Sequence, residues 1–491
     1  MSPTELDFDS CYRAVSARDA RFDGRFYTAV TTTRIYCRPI CPARTPASRN
    51  VRFYRHAASA EAAGFRPCKR CRPELSPGDP GWDLRGDLVG RALRLIDDGA
   101  ADEDGVAGLA RRLHITERHL HRLFVAELGA GPLAVARTKR LLLAKQLLTE
   151  TALPVTDVAF AAGFGSVRQF NATMRETYGF TPSELRATAG GPASRAVAGP
   201  AREVTGGDGS TAGEPVLTAA PATLRLRLHA REPYDVEGVF GFLASRAIPG
   251  LEVADATSYS RAVPGGTITL TPQRGHLALD VSVDDTRQLA RIVARCRRLL
   301  DLDADPAAIA EALAQTSLAP LVAARPGLRV PGTFDGFELA VRAVVGQQIS
   351  VAGARTLLGR MVARAGRPTT AEGHLFPTPA ELLAADLAGL GLTNRRIDTL
   401  KELAVRVDGG LIDLDGAQEP AEAVKELLSI PGIGPWTASY IALRALRDPD
   451  AWPTGDLVLD RRMAALDIPK EHLERWRPWR AYAALHLWSH S

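Results

Sequence analysis

Lys425-Glu-Leu-Leu-Ser-Ile-Pro-Gly-Ile-Gly-Pro-Trp-Thr-Ala-Ser-Tyr-Ile-Ala-Leu-Arg-Ala, residues 425–445, reads as two helical segments joined by Pro431-Gly-Ile-Gly. Glycine lacks the Cβ that closes tight-turn conformations to other residues. Gly432 and Gly434 therefore predict a sharp turn that presents backbone N–H groups to an anion. A helix-hairpin-helix of this kind grips DNA phosphates without reading sequence, although similar turns also merely connect helices. About twenty residues further on, Trp452-Pro-Thr-Gly-Asp-Leu carries Asp456 ahead of another helical stretch. An Asp there serves as a helix N-cap, as a functional carboxylate, or as both.

Working outward, the chain from about Thr286 is almost wholly helical, with short Gly/Pro turns. Before it, Thr223-Leu-Arg-Leu-Arg-Leu and Thr267-Ile-Thr-Leu-Thr alternate apolar and polar residues, the period of half-buried strands. Residues 188–215 are Gly, Ala, Pro and Ser with almost no large apolar residue, the composition of a flexible tether. Residues 73–84 read as a shorter linker. The expected architecture is multidomain α+β, mostly α. It comprises a zinc-bound domain (1–75), a double helix-turn-helix (85–187), the tether (188–215), a small β-rich α+β domain (216–300) and an all-α helix-hairpin-helix domain (301–491). The tether implies that the two halves act independently.

Four of the six cysteines fall as Cys37-x3-Cys41 and Cys68-x2-Cys71. Two close pairs bring four sulfurs to the corners of a tetrahedron, the geometry of one Zn²⁺ ion. On spacing alone a purely structural zinc ribbon is favoured over a reactive centre. Basic residues crowd the ligands: Arg34, Arg38, Arg44, Arg66, Lys69, Arg70 and Arg72. A metal-held thiolate stays nucleophilic at neutral pH.

Residues 106–127 pattern as helix, turn and helix, with Thr116 as cap and Arg118, His119 and Arg122 projecting from the second helix. Val155 to Thr177 repeat the pattern around Gly163-Phe-Gly-Ser, with Arg168, Gln169 and Asn171 exposed. Lys plus Arg number 61 against 56 acidic residues, a mild basic excess compatible with a nucleic-acid partner. MSPTELDFDS is polar and acidic, unlike a signal peptide, and no apolar run approaches the ~20 residues of a membrane span. A cytoplasmic protein associated with the bacterial nucleoid, with no membrane partner, is expected.

Three resemblances sharpen these readings. Asp23-Gly-Arg-Phe, Thr31-Thr-Thr-Arg-Ile-Tyr-Cys-Arg-Pro-Ile-Cys, Asn50-Val-Arg-Phe-Tyr and Ala63-Gly-Phe-Arg-Pro-Cys-Lys-Arg-Cys resemble the N-terminal domain of the Ada adaptive-response family. The resemblance implies that Cys37 takes a methyl group from a DNA methylphosphotriester. It makes Cys41, Cys68 and Cys71 the other ligands of one Zn²⁺, and Thr33, Arg44 and Arg66 DNA-backbone contacts. Pro42 stands where family members can carry an arginine. The paired helix-turn-helix units, joined by one helix over Pro132–Thr149 and closing on Tyr178-Gly-Phe-Thr-Pro-Ser-Glu-Leu-Arg, resemble the AraC-type DNA-binding domain. That implies a promoter, double-stranded DNA and RNA polymerase as partners, with Arg118, His119, Arg122, Arg168 and Gln169 at the groove.

Phe334-Asp-Gly-Phe-Glu, Arg342-Ala-Val-Val-Gly-Gln-Gln-Ile-Ser-Val-Ala, the hairpin, and Glu474-Arg-Trp-Arg-Pro-Trp-Arg-Ala-Tyr-Ala-Ala-Leu-His-Leu-Trp are similar to the AlkA 3-methyladenine glycosylases. By position, Asp456 is the catalytic carboxylate, Trp436, Tyr440 and Trp488 line the base pocket, and Gln348 replaces a wedge leucine. Trp436 also stands where lyases of that superfamily carry a lysine, which implies a monofunctional glycosylase. Cys11 and Cys296 lack the Pro-Cys-His-Arg surroundings of an O6-alkylguanine acceptor and are expected to be inert. The whole reads as a monomeric alkylation-repair enzyme that also regulates transcription. The alternative is an alkylation-responsive transcription factor with a degenerate glycosylase half.

Overall fold

The computed structural model describes residues 6–78, 88–188, 223–369 and 373–489. The tether therefore lies outside the described residues except for Thr188, which still belongs to a helix. Residues 79–84 of the shorter linker also lie outside them.

In the first domain, α1 (Phe8–Ala17) and α2 (Ala57–Ala62) pack on a four-stranded sheet of β1 (Tyr27–Val30), β2 (Ile35–Cys37), β3 (Val51–Tyr54) and β4 (Arg66–Pro67), in the order β3-β1-β2-β4. β2 and β4 are parallel neighbours, with Tyr36 opposite Pro67. Cys37 and Cys68 each follow one of these paired residues, so the register itself sets the two cysteines side by side. Residues 73–78, read as linker, are instead packed: Pro73, Leu75 and Pro77 are buried.

The helices that follow include α3 (Leu88–Asp97), α4 (Gly105–Arg112), α5 (Glu117–Leu128), α6 (Pro132–Glu150), α7 (Val155–Ala161), α8 (Val167–Tyr178) and α9 (Pro182–Thr188). Thr116 caps α5 by accepting from the His119 N–H, and Ser166 caps α8 by accepting from the Gln169 N–H. Both are the small polar residues a β-region N-cap needs. The helix-turn-helix pattern is thus realised twice, around the long α6.

Glu61 of α2 joins the first domain to α6. It accepts from Tyr36 Oη at 3.0 Å and from Thr138 Oγ1 at 2.6 Å. Burial outweighs these bonds and pushes its carboxyl up to about 7. The folded value lies above the ordinary one near 4.5, so the stability Glu61 contributes is complete below pH 4.5 and is lost as pH rises to about 7. Thermal melts of wild type and Glu61→Gln across this window should differ in slope. The variant should gain relative stability toward pH 7, by about 3 kcal/mol.

The second half opens with a five-stranded antiparallel sheet of β5 (Leu224–Leu228), β6 (Glu252–Ala254), β7 (Tyr259–Val263), β8 (Gly266–Gln273) and β9 (His276–Val283), in the order β5-β9-β8-β7-β6. Leu224, Leu226 and Leu228 are buried while Arg225 and Arg227 face outward, as the alternation predicts. α10 (Val236–Arg246) and α11 (Leu289–Leu299) flank the sheet. The helical body contains α12 (Gly336–Val345), α13 (Val351–Ala365), α14 (Asn394–Asp408), α15 (Pro420–Leu428), α16 (Pro435–Arg444), α17 (Leu457–Ala465) and α18 (Arg480–Trp488). One small departure is a two-stranded hairpin, Pro368–Thr369 against Gly373–His374.

The halves are packed against each other, which the tether alone did not indicate. Leu141, Leu147, Phe170 and Tyr178 share one buried core with Leu226 and Leu279 of the sheet. Arg298 of α11 donates to Asp98 at 2.8 Å, and Ala417 sits in the core of the first helix-turn-helix unit. Docking is decided by surfaces that lie elsewhere in the chain.

Candidate functional site

The four cysteine sulfurs Cys37, Cys41, Cys68 and Cys71 lie within 4.8 Å of one another. Tetrahedral thiolates at about 2.3 Å from a Zn²⁺ would be about 3.8 Å apart, so the cage fits one ion. The donor chemistry fits too. The neighbouring sulfurs push the Cys37 thiol up and pull Cys68 down, because crowded thiols cannot all ionise without a cation among them. Backbone N–H groups donate to two of the sulfurs, Arg38 to Cys71 at 3.3 Å and Arg70 to Cys68 at 3.4 Å. Cys68 and Cys71 are buried, whereas Cys37 and Cys41 keep partial exposure.

The basic crowd around this cage divides. Arg38 is buried against Asp23, and Arg72 pairs with Glu74 and Glu150, so neither is open to a ligand. Thr33 and Arg34 in the β1–β2 turn and Arg44 after Cys41 are exposed, and Arg66 on β4 is half-buried. Arg118 and Arg122 are exposed on α5, where Arg122 pairs with His119 Nδ1 at 2.9 Å, and Arg168 and Gln169 are exposed on α8. Cys11 and Cys296 are buried, with thiols pushed up to about 11 and about 12 by burial, so both remain protonated and unreactive.

The second site is a cleft of about 1260 Å³ between the sheet layer and the helical body. Asp456, Trp436, Tyr440, Trp488 and Gln348 all line it. Asp456 is the N-cap of α17: its Oδ1 accepts from the N–H groups of Val458 and Leu459, each at 2.9 Å. Trp436 Nε1 donates to Asp456 Oδ2 at 2.7 Å and Trp488 Nε1 to Oδ1 at 3.3 Å. Both roles weighed for this aspartate are therefore compatible: one edge of the carboxylate anchors the helix, and two indoles aim the group at the cleft. The rings of Trp436 and Tyr440 stack at 5.2 Å and 8°.

The hairpin between α15 and α16 supports this wall. Gly432 has φ 97°, and a Cβ there would meet Thr399 Oγ1 at 2.2 Å. Gly434 differs: its φ of −95° suits any residue, and a Cβ would enter open space. What Gly434 leaves is clear access to the N-terminus of α16. Gly432→Ala should destabilise the second half by about 1–3 kcal/mol, through the left-handed backbone and the clash together, whereas Gly434→Ala should cost under about 1 kcal/mol. Chemical denaturation of both variants checks this.

Other cleft residues escaped the sequence reading. Arg444 donates to Tyr440 Oη at 3.0 Å. Burial raises the Tyr440 hydroxyl, but Arg444 and Arg246 outweigh it and hold the group below its usual value. The spacing of Tyr440 and Arg444, one helical turn apart, was the available signal; nothing in the sequence marks Arg246. Gln347 holds the hairpin through Gly432 O at 2.9 Å and Thr437 Oγ1 at 3.0 Å. Its neighbour Gln348 is exposed at φ 58°, on the turn between α12 and α13. The two layers of the cleft are tied by a buried network, Arg261 to Glu338 at 2.8 Å and Arg342 to Glu252 at 2.7 Å.

Family models match three regions: the metal binding domain of Ada over residues 10–74, a helix-turn-helix domain over 109–188, and the AlkA N-terminal domain over 225–335. The chain is 46% identical over 498 residues to a "probable bifunctional transcriptional activator/DNA repair enzyme AlkA" of Mycobacterium tuberculosis, spanning 98% of this chain and 96% of the relative. The chain belongs to this family of bifunctional activator and repair enzymes. Partial relatives divide along the same line. The DNA-3-methyladenine glycosylase 2 of Escherichia coli is 36% identical over 53% of this chain and 95% of its own length. The bifunctional transcriptional activator/DNA repair enzyme Ada of Escherichia coli is 37% identical over 37% of this chain and 50% of its own length. The cysteine cage is the family's Zn²⁺ site.

Proposed function

We propose that this chain acts on alkylated double-stranded DNA at two centres, removing a backbone methyl at Cys37 and an alkylated base at Asp456. The first centre is a stoichiometric methyltransferase. The Cys37 sulfur attacks the methyl carbon of a methylphosphotriester. The C–O bond breaks with its electron pair on the phosphate, and the sulfur becomes a thioether. Partial exposure and freedom from the two backbone amides that bond Cys68 and Cys71 leave Cys37 and Cys41 as the candidate nucleophiles, and the likeness to the metal binding domain of Ada favours Cys37. Bound Zn²⁺ supplies the charge that keeps the four sulfurs ionised at neutral pH. Thr33 hydrogen-bonds the DNA backbone, Arg44 and Arg66 neutralise phosphates, and the transfer removes one negative charge from the sulfurs that face the DNA, so DNA affinity rises. The exposed faces of α5 and α8 then read a promoter. RNA polymerase is the partner that such regulation requires.

The second centre is a monofunctional glycosylase for N3- and N7-alkylated purines of the 3-methyladenine and 7-methylguanine type. The observation that carries it is the Trp436 Nε1 to Asp456 Oδ2 bond, which holds a carboxylate beside two stacked aromatic rings. A flipped cationic base stacks on these faces, each worth about 0.5–2 kcal/mol. The C1′–N bond breaks, the base leaves neutral, and the carboxylate stabilises the oxocarbenium-like sugar and guides water to C1′. Trp436 supplies no amine for a Schiff base, so the strand stays intact. Gln348 fills the vacated stack. An Asp456 that reaches the cleft disfavours a degenerate glycosylase half.

We assign the residue ranges 1–75, 85–187, 216–300 and 301–491 to these domains, in a monomer located at the nucleoid. The test is release of free base from methylated duplex, with the strands then resolved by electrophoresis. Free 3-methyladenine with uncut strands is expected; no released base leaves the transcription-factor reading.

A further inference from the structure

The zinc-ligand loops are bonded to both bodies packed against them through contacts that the chemistry above does not use. On one route Arg38, the residue after Cys37, gives its backbone N–H to Cys71 Sγ and its guanidinium to Asp23. The Asp23 carbonyl accepts from Arg231 Nη2 of the second half at 2.6 Å, and Arg231, 5% exposed, also donates to the carbonyls of Gly78 and Asp303, each at 2.7 Å. On the other route, Lys145 of α6 donates to the Cys68 carbonyl at 3.1 Å and to Glu74 at 2.6 Å, and Arg72 donates to Glu150 at 3.0 Å. Glu150 Oε2 then accepts the Arg227 N–H of β5 at 3.1 Å, while Gln146 donates to the Arg227 carbonyl at 3.0 Å. The open edge of β5 is therefore closed by side chains of the DNA-reading half.

We propose that the charge on the zinc-held sulfurs sets how tightly the halves dock, so that a methyl on Cys37 loosens the base-excising half from the DNA-reading half. This rests on Cys37 as the methyl acceptor. The balance is simple: the methyl leaves a phosphate oxygen for the sulfur, the electron pair stays on the phosphate, and the sulfur cage changes formally from −2 to −1. Arg38 is held between Cys71, whose Sγ accepts its backbone N–H and whose carbonyl accepts its guanidinium, and the Asp23 carboxylate. A less negative cage holds Arg38 less firmly, and Arg38 positions the Asp23 loop that receives Arg231. Arg231 is itself a buried cation bonded to the Asp23 loop. A unit change of charge in a partly buried setting shifts such an equilibrium about tenfold. Neither part of the switch needs a contact with DNA, so the state of the sulfur reaches the junction of the two halves through the protein alone.

Amide hydrogen exchange on the full zinc-loaded chain reads this directly, because the Arg227 and Gly78 amides are bonded across the junction, to Glu150 and Asp303. The chain is methylated with methylphosphotriester DNA, freed of DNA, and checked by mass for a methyl on the Cys37 peptide. Exchange at Arg227 and Gly78 should then quicken about tenfold, with the β1–β3 amides unchanged. Unmethylated Arg231→Ala should exchange fast at the same amides, and Arg231→Lys, which keeps the cation, should stay slower than Ala. A chain methylated on Cys37 with unaltered exchange overturns the docking switch alone, as does an Arg231→Ala chain that exchanges like wild type. A chain that takes no methyl on Cys37 overturns the acceptor reading and the switch together.

Discussion

Asp456→Asn is expected to lower single-turnover release of 3-methyladenine from alkylated duplex by about 10²–10³-fold while leaving the melting temperature within a few degrees of wild type. The separation follows from the two edges of the carboxylate. Its Oδ1 accepts from the Val458 and Leu459 amides, and an Asn oxygen accepts the same bonds, so the cap on α17 survives. What disappears is the charge, the component that meets the developing positive sugar. The Asn amide also faces the Trp436 indole N–H with a donor where an acceptor stood, a local mismatch of about 1 kcal/mol. Methyl transfer to Cys37 should be unaffected. Equal base release by variant and wild type would place the catalytic residue elsewhere.

Removal of zinc is the second large effect. The first domain has little core of its own: one cluster joins Tyr27, Ala29, Tyr36, Ala57, Ala60 and Phe65, and another joins Cys11, Ala14, Val15 and Phe26. So small a core does not stabilise a domain unaided, and structural Zn²⁺ contributes about 10–16 kcal/mol in isolated zinc-finger peptides. Chelation should therefore melt the sheet of β1–β4 and abolish methyl transfer, with base release retained by the second half. Circular dichroism and exchange over the first domain check the melting. Cys37→Ser should abolish methyl transfer with smaller structural change, since three sulfur ligands remain. A chelated protein that keeps its β1–β4 protection would mean that packing against α6 stabilises the domain without the metal.

Both centres were legible because their chemistry needs particular residue types at short spacing. The two cysteine pairs already named the cage, and the parallel pairing of β2 with β4 then explains why the pairs meet. Pro431-Gly-Ile-Gly marked the hairpin and located Asp456 and its aromatics. The division of labour between the glycines was not legible: Gly432 is required by φ and by Thr399, and Gly434 by neither. The indole bonds of Trp436 and Trp488 to Asp456 were also missed, because an aromatic in a pattern is read for its faces and not for its N–H. Least legible was the junction. Arg231, Glu150 and Arg298 are ordinary charged residues in sequence, and each is buried only because a distant segment folds over it. Of the seven cations counted around the cage, Arg38 and Arg72 proved internal for the same reason.

Methyl transfer at the cysteine cage depends on Cys37 as the sulfur that meets a methylated phosphate. Peptide mass mapping of all six cysteines after incubation with methylphosphotriester DNA tests that most directly. One methyl on Cys37, with Cys11, Cys41, Cys68, Cys71 and Cys296 unmodified, is the predicted result. A methyl on Cys41, the other partly exposed ligand, or on none of the six, would contradict it.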